Sequence, residues 1–417
     1  MKRSIAFLLL FVCCTPLAAE DWPQFRGPLG NGHSAEKNLP IQWSATENVV
    51  WKTAVPGKGW SSPSLYNGRL YLTTAVPVDE AKPTGNLSLR TLCLSAKDGT
   101  TIWDVEVFQQ DGETAPKIHT KNSHASPTPL IDADRVFVHF GHQGTACLDL
   151  DGKLIWKNQD LKYPPVHGNG ASPILVEGLL IFSCDGGSDP FVVALDSANG
   201  SVRWKFQREV DYDRRFAFCT CDVITVNGKK QVISPGAGVV NALDPQTGKE
   251  IWQVKYDGYS VIPRPVFGHG LVYLSTGYNN PQLMAIRPDG TGDVTDTHVA
   301  WQVKSGAPHT PSPLLIGDEL YMVSDGGIAT CLDAKTGEEH WHERIGGNFS
   351  SSPTYADGKI YLQDEEGKGT VLKPGTKLQK LGENGFAEKT QASYAVGDGA
   401  IFVRTESNLY KVAQPRR

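Results

Sequence analysis

The sequence predicts an all-β fold: an eight-bladed β-propeller with four antiparallel strands per blade. Three observations lead there. A turn of the form Asp-x-x-x-Gly-x-x-x-Trp recurs along the 417 residues. A Ser-Pro pair, or a close variant, opens an apolar strand upstream of most turns. Trp51 stands alone near the N-terminus, with no strands before it.

The turn comes first. Trp51, Trp103, Trp156, Trp204, Trp252, Trp301 and Trp341 lie 52, 53, 48, 48, 49 and 40 residues apart. A strand-bearing period of about that length is the signature of propeller blades. Gly99, Gly152, Gly200, Gly248 and Gly337 each precede one of these tryptophans by the same interval. Glycine there suits a left-handed turn residue, and Asp at the turn start accepts backbone N–H groups just ahead of it. The tryptophan on the returning strand can bury its ring between neighbouring units.

The strand openers come second. Ser62-Pro63, Ser126-Pro127, Ser172-Pro173, Ser312-Pro313 and Ser352-Pro353 each lead into a tight turn and an apolar strand, and Arg264-Pro265 does the same in the fifth unit. Proline belongs at a strand start because it cannot donate inside a sheet. The 43 Gly and 27 Pro, spread evenly, supply the turns that many short strands require. Each unit therefore reads as strand A, hairpin, strand B, loop, strand C, Asp…Gly turn, strand D.

The count rests on the ends. The seventh unit, from Ser352, keeps its strands and lacks the Trp. The eighth, Ser393 to Val412, stops after three strands. Val49 to Ala54 offers the missing fourth, and pairing the two ends closes the ring and removes open edges. Seven blades is the alternative, if the terminal units do not pair. The domain reading is a signal peptide over 1–19, an extension over 20–44 and the propeller over 45–413.

Residues 1–19 carry Lys2 and Arg3, an apolar run from Ile5 to Val12 that is too short to span a bilayer, and small residues up to Ala19. The residues ahead of Cys13 and Cys14 are bulky for a lipidation site. We therefore expect a periplasmic or secreted monomer, beginning at Glu20, with no transmembrane segment. The formal net charge of −5 becomes more negative once Lys2 and Arg3 leave, which argues against nucleic acid as a partner. Cys93, Cys147 and Cys331 share one repeat position with Ala194 and Ala242, so they read as small core residues. Cys184, Cys219 and Cys221 are the other cysteines left after removal of residues 1–19; Cys219 and Cys221 share a strand face and read as core, with a metal or redox role as the competing reading.

At this point the repeat resembles the tryptophan-docking motif of the quinoprotein alcohol dehydrogenases and their non-enzymatic relatives, the PQQ-like β-propellers of the BamB type. The resemblance covers about residues 45–413. Asp21 to Pro28 and Gly292 to Trp301 also resemble segments of exported PQQ-like proteins from planctomycete-type bacteria. The family implies a propeller fold. For its enzymes it also implies PQQ, a Ca²⁺ held by carboxylate and amide oxygens, and a disulfide between adjacent cysteines. The chain after residue 19 has no adjacent cysteine pair, and no calcium-ligand set can be placed by motif. The stretch Asp289 to Asp296 lacks the terminal Glu of an EF-hand and reads as a turn insertion.

A propeller places its ligand sites on the face with the longer loops. Here those are the D–A and B–C loops. Residues just before each strand A should ring the channel: Trp60, His124, His167, Asn169, Arg215, Tyr259, His309, Phe349 and Lys389. His142, Asp185, Asp189, Tyr278, Asn279 and Glu365 lie in B–C loops of the same face. Histidine, arginine and aromatic groups around one funnel suit an anionic or planar ligand. The competing reading is that they satisfy loop backbone and hold ordered water. The expected function is a non-catalytic binding or scaffold module, taking a protein, glycan or small molecule on the funnel face. A PQQ- and Ca²⁺-dependent dehydrogenase and a cell-envelope assembly factor are the alternatives.

Overall fold

A computed structural model describes residues 20–415; the expected signal peptide lies outside the described residues. The strands form eight sheets, one per blade, arranged as a β-propeller. Blade 1 contains Ser64–Tyr66, Arg69–Pro77, Leu87–Ser95 and Thr101–Gln110. Blades 2 to 7 repeat that order, and their innermost strands begin at Leu130, Ile174, Asp222, Val266, Leu314 and Thr354. Blade 8 joins Ala395–Gly397, Ala400–Arg404 and Asn408–Val412 to the N-terminal strand Val49–Ala54, which pairs antiparallel with Asn408–Val412. The ends close the ring as the lone Trp51 predicted. No helix among the described residues is long and apolar enough to cross a membrane.

One blade departs from four strands. Gly292–Asp293, from the insertion in blade 5, adds in parallel to the outer strand Glu250–Lys255 of blade 4. Asp293 accepts from Thr295 Oγ1 at 2.6 Å and pairs with Lys255 at 2.9 Å. The insertion is thus a local clasp between blades 4 and 5.

The repeat motif works across blade junctions. Gly99, at φ 75°, lies against the ring of Trp51. Gly152, Gly200, Gly248 and Gly337 likewise lie against Trp103, Trp156, Trp204 and Trp301. Each tryptophan of blade n therefore caps the turn glycine of blade n+1, and its Nε1 donates into the same turn. Examples are Trp51 to Ala96 O at 3.2 Å and Trp204 to Pro245 O at 2.8 Å. Trp252 donates instead to Gln231 Oε1, because blade 5 carries the insertion in place of the turn. Trp341 reaches Gly375 O. The turn chemistry is as read: Asp244 Oδ1 accepts from the Thr247 amide and hydroxyl, both at 2.8 Å.

Blade 7 has Gly382 paired opposite Val371, at the register where the other blades carry Trp. The N-terminal extension fills the gap. Ile41 O sits where a side chain on Gly382 would go, and buried Trp43 packs between Tyr361 and Tyr394. The core is divided into sectors of this kind between adjacent blades. Cys93, Cys147 and Cys331 each pair opposite a docking Trp inside such sectors, as Ala194 and Ala242 do. Burial pushes their thiols up to about 12, so they act as inert packing groups.

Candidate functional site: a blind funnel on the channel axis

Two residues before the innermost strand stands a hydroxyl residue in seven of the eight blades, and these residues are linked into a belt. The Ser62 amide donates to Thr128 Oγ1, Thr128 to Ser172, and Ser172 to Thr220. The Arg264 amide donates to Ser312, Ser312 to Ser352, Ser352 to Ser393, and Ser393 back to Ser62. Every link spans 2.9–3.1 Å. The belt opens only between Thr220 and Arg264, where arginine replaces the hydroxyl. Thr128, two residues beyond Ser126, is thus the true equivalent of Ser62.

The N-terminal extension seals the channel below this belt. Trp22, fully buried, exchanges backbone hydrogen bonds with Leu65 of blade 1. Pro23 O accepts from Ile131 of blade 2. Arg26 Nη2 donates to Pro313 O of blade 6 at 2.7 Å, and Arg264 Nη1 donates to Phe25 O at 2.9 Å. Farther along, the Tyr355 amide of blade 7 donates to Gly32 O. The segment crosses the channel from blade to blade, and Phe25 becomes the floor of the cavity above. Asp222 pairs with Arg264 at 3.1 Å beneath that floor. Burial, then the neighbouring Arg264, pushes the Arg26 guanidinium down to about 9.

Above the belt the channel widens into a cavity of about 660 Å³ that opens on the long-loop face. One wall is a continuous arc of rings. His119, His167, Phe216, Tyr259, Tyr278 and His309 follow one another with centroids 5.3–5.6 Å apart, mostly edge to face. The arc spans blades 2 to 6. The Arg214 guanidinium lies over the Tyr259 ring at 4.9 Å. Lys121 reaches Glu365 of blade 7 at 2.7 Å and ties the two loops together at the mouth. Burial, then the neighbouring His119, lowers the His167 pKa, so its imidazole is neutral near pH 7.

A family model described as outer membrane protein assembly factor BamB matches residues 90–328 and 236–379.

The chain belongs to this BamB family.

Two curated relatives show how far the likeness extends. BamB of Burkholderia pseudomallei (strain K96243) is 29% identical over 114 residues, 27% of this chain and 29% of that protein. The quinohemoprotein alcohol dehydrogenase ADH-IIG of Pseudomonas putida is 24% identical over 219 residues, 46% of this chain and 28% of that protein. The chain spans under a third of the length of either curated relative. Among solved structures, BamB from Moraxella catarrhalis superposes with a TM-score of 0.61 at 13% identity, covering 88% of this chain and 98% of that one. That match speaks for the fold.

Within this BamB-family propeller, Trp60, His167, Tyr259 and His309 line the funnel among the residues expected there. His124 turns away to Gln110 at 3.1 Å. Asn169 accepts from the Tyr163 hydroxyl at 2.8 Å. Arg215 donates to Tyr212 O, and its neighbour Arg214 faces the cavity instead. Phe349 is buried in the sector between blades 6 and 7. Lys389 is exposed, and Gln391 takes the lining position. Sequence reasoning missed His119, Phe216 and the floor residue Phe25. His119 sits mid-loop, five residues ahead of His124. Phe216 belongs to a loop with no periodic signal.

PQQ and Ca²⁺ can be tested against these side chains. Ca²⁺ takes roughly six to eight oxygen ligands, several of them carboxylate. Asp325 is the one carboxylate lining the funnel among the described residues. Its Oδ2 accepts from the His309 and Thr310 amides, and its Oδ1 from the Thr310 hydroxyl. Elsewhere among the described residues, no cluster of three or more His, Cys, Asp or Glu is arranged to hold a metal. This donor set does not fit a calcium–quinone pair, and no chemistry is derived through one.

Proposed function

We propose that the chain is an exported, non-catalytic member of the BamB family that seats a ligand in its blind funnel. The observation that carries this reading is the funnel itself. It is large enough for a small organic ligand, walled by rings and belted by hydroxyls above the Phe25 floor, and its one carboxylate among the described residues is held by the His309 and Thr310 amides and the Thr310 hydroxyl. Export is supported by the pattern over residues 1–19 and by the fit of Glu20. Its nitrogen lies 3.0 Å from Glu36, so cleavage after Ala19 sets a new ammonium against a carboxylate.

The test is native mass spectrometry of the protein isolated under mild conditions from the envelope fraction. We expect a discrete bound mass on a chain starting at Glu20, and loss of that mass in Tyr278→Ala at unchanged melting temperature. Tyr278 is 52% exposed, so its removal spares the core. A bound mass that persists undiminished in the variant places the ligand elsewhere. Alcohol-dependent dye reduction after loading with PQQ and Ca²⁺ replaces the reading with a dehydrogenase.

A further inference from the structure

We infer that the funnel is a seat for a neutral saccharide, an inference that rests on the binding-module reading above. The argument starts from the distribution of chemistry around the channel axis. The ring arc occupies blades 2 to 6 and is centred on Phe216 and Tyr259. Eightfold geometry sets Gln391 of blade 8 opposite Phe216 of blade 4. It likewise sets Ser350 of blade 7 opposite His167 of blade 3. One wall is therefore a continuous arc of rings, and the facing wall is amide and hydroxyl at blades 7 and 8, with the indole of Trp60 beside them at blade 1.

A planar heteroaromatic ligand gains most from apolar contact on both faces. A pyranose differs in having an apolar C–H face and a rim of hydroxyls. The two unlike walls suit the second shape.

The belt adds an independent observation. Ser62, Thr128, Ser172 and Ser393 each accept one backbone N–H in the belt. Among the described residues their own O–H groups donate to no protein group, although all four line the cavity and are under a tenth exposed. Each of these hydroxyls therefore has a proton left to donate into the cavity. A ring of such donors on one axis suits a ligand with several oxygen acceptors, and sugar hydroxyls supply them while donating in turn to Gln391.

The charges favour a neutral ligand over an anion. Lys121 is paired with Glu365, Arg214 is stacked on Tyr259, and Asp325 is held by His309 and Thr310. Arg26, Arg264 and Asp222 lie beneath the Phe25 floor, outside the cavity lining.

The test is isothermal titration calorimetry on the full mature chain with maltotriose, cellotriose, xylotriose and chitotriose, and with trigalacturonate as the anionic counterpart. We expect saturable binding of at least one neutral trisaccharide. Tyr278→Ala should weaken it about tenfold through loss of one ring of the arc, and Ser62→Ala by a few-fold through loss of one hydrogen bond. A bound mass from the envelope with no trisaccharide binding at millimolar concentration overturns the saccharide assignment and leaves the binding module standing. Binding of trigalacturonate alone overturns the neutral character. Absence of both a bound mass and any titration heat sinks the two readings together.

Discussion

His167 lines the funnel in a left-handed conformation, φ 63°, that a β-carbon resists. Several other non-glycine residues of this kind sit in tight A–B hairpin turns, such as Asn67, Asn227 and Asp357. His167 is held there by its own carbonyl, which accepts from the His119 amide at 3.2 Å and from Asn122 Nδ2 at 2.8 Å. Ser260, also in the lining, has φ 54°. Strain of this sort costs about 1–2 kcal/mol and persists where surrounding contacts over-determine it. Glycine would relieve it and alanine would not. We therefore expect His167→Gly to be more stable than His167→Ala by about 1 kcal/mol in urea unfolding. Both should weaken ligand binding equally, since both remove the imidazole between His119 and Phe216. If alanine proves the more stable, the carbonyl contacts do not impose the backbone. The neighbourhood also shows which functional residues a sequence reveals. His167, Arg215 and Phe349 were all expected in the funnel from their place just before a strand A, yet Arg214 faces the funnel in place of Arg215 and Phe349 turns into the core. Loop residues obey no period, and a shift of one position reverses which side chain points inward.

At the scale of the blade, the Asp…Gly…Trp repeat was legible from spacing alone, and the partner of each residue was not. Gly99 and Trp103 are four residues apart, yet they serve different junctions: Gly99 receives Trp51, and Trp103 reaches Gly152. A linear motif lists neighbours in sequence, whereas docking pairs neighbours in space one blade away. The replacement of the blade 7 Trp by Trp43 was illegible for the same reason, because the extension has no repeat of its own. This division gives a contrast between two left-handed glycines. At Gly99 an added Cβ would meet the Trp51 ring at 2.7 Å; at Gly68, φ 70°, it would meet nothing within 4 Å. Gly68→Ala should cost about 1 kcal/mol from backbone strain alone. Gly99→Ala should cost roughly 2–4 kcal/mol, because overpacking against a buried ring adds to the strain. Midpoints of urea unfolding at constant m separate the two. Equal midpoints would mean that Trp51 moves aside freely and that its docking contributes little.

The whole molecule is a ring closed at one seam, where the N-terminal strand completes blade 8. Glu388, in the loop between blades 7 and 8, fastens that seam. It accepts from Lys52 on the N-terminal strand at 3.0 Å, from Thr405 at 2.7 Å, from Asn408 at 2.8 Å, and from the Tyr410 hydroxyl. Burial raises its pKa, but these hydrogen bonds outweigh burial and hold the carboxyl at about 2, below its ordinary 4.5. A carboxyl depressed in the folded state stabilises fully above its unfolded pKa. That contribution fades as pH falls from about 4.5 and is gone below about 2. Glu388→Gln keeps the size and removes the titration. We expect the variant to melt below the wild type at pH 7, and the gap to narrow between pH 4.5 and pH 2 as the wild-type carboxyl gains its proton. Subtracting the variant curve isolates this seam from Asp293, which is also held at about 2 but fastens blades 4 and 5. Because Val49–Ala54 covers the outer edge of Asn408–Val412, failure at the seam should expose Val49–Ala54 first. Acid pulse proteolysis should then cut between residues 44 and 60 before it cuts any blade. A gap that stays constant across this pH range, or a first cut inside blades 2 to 6, would show that the ring opens somewhere else.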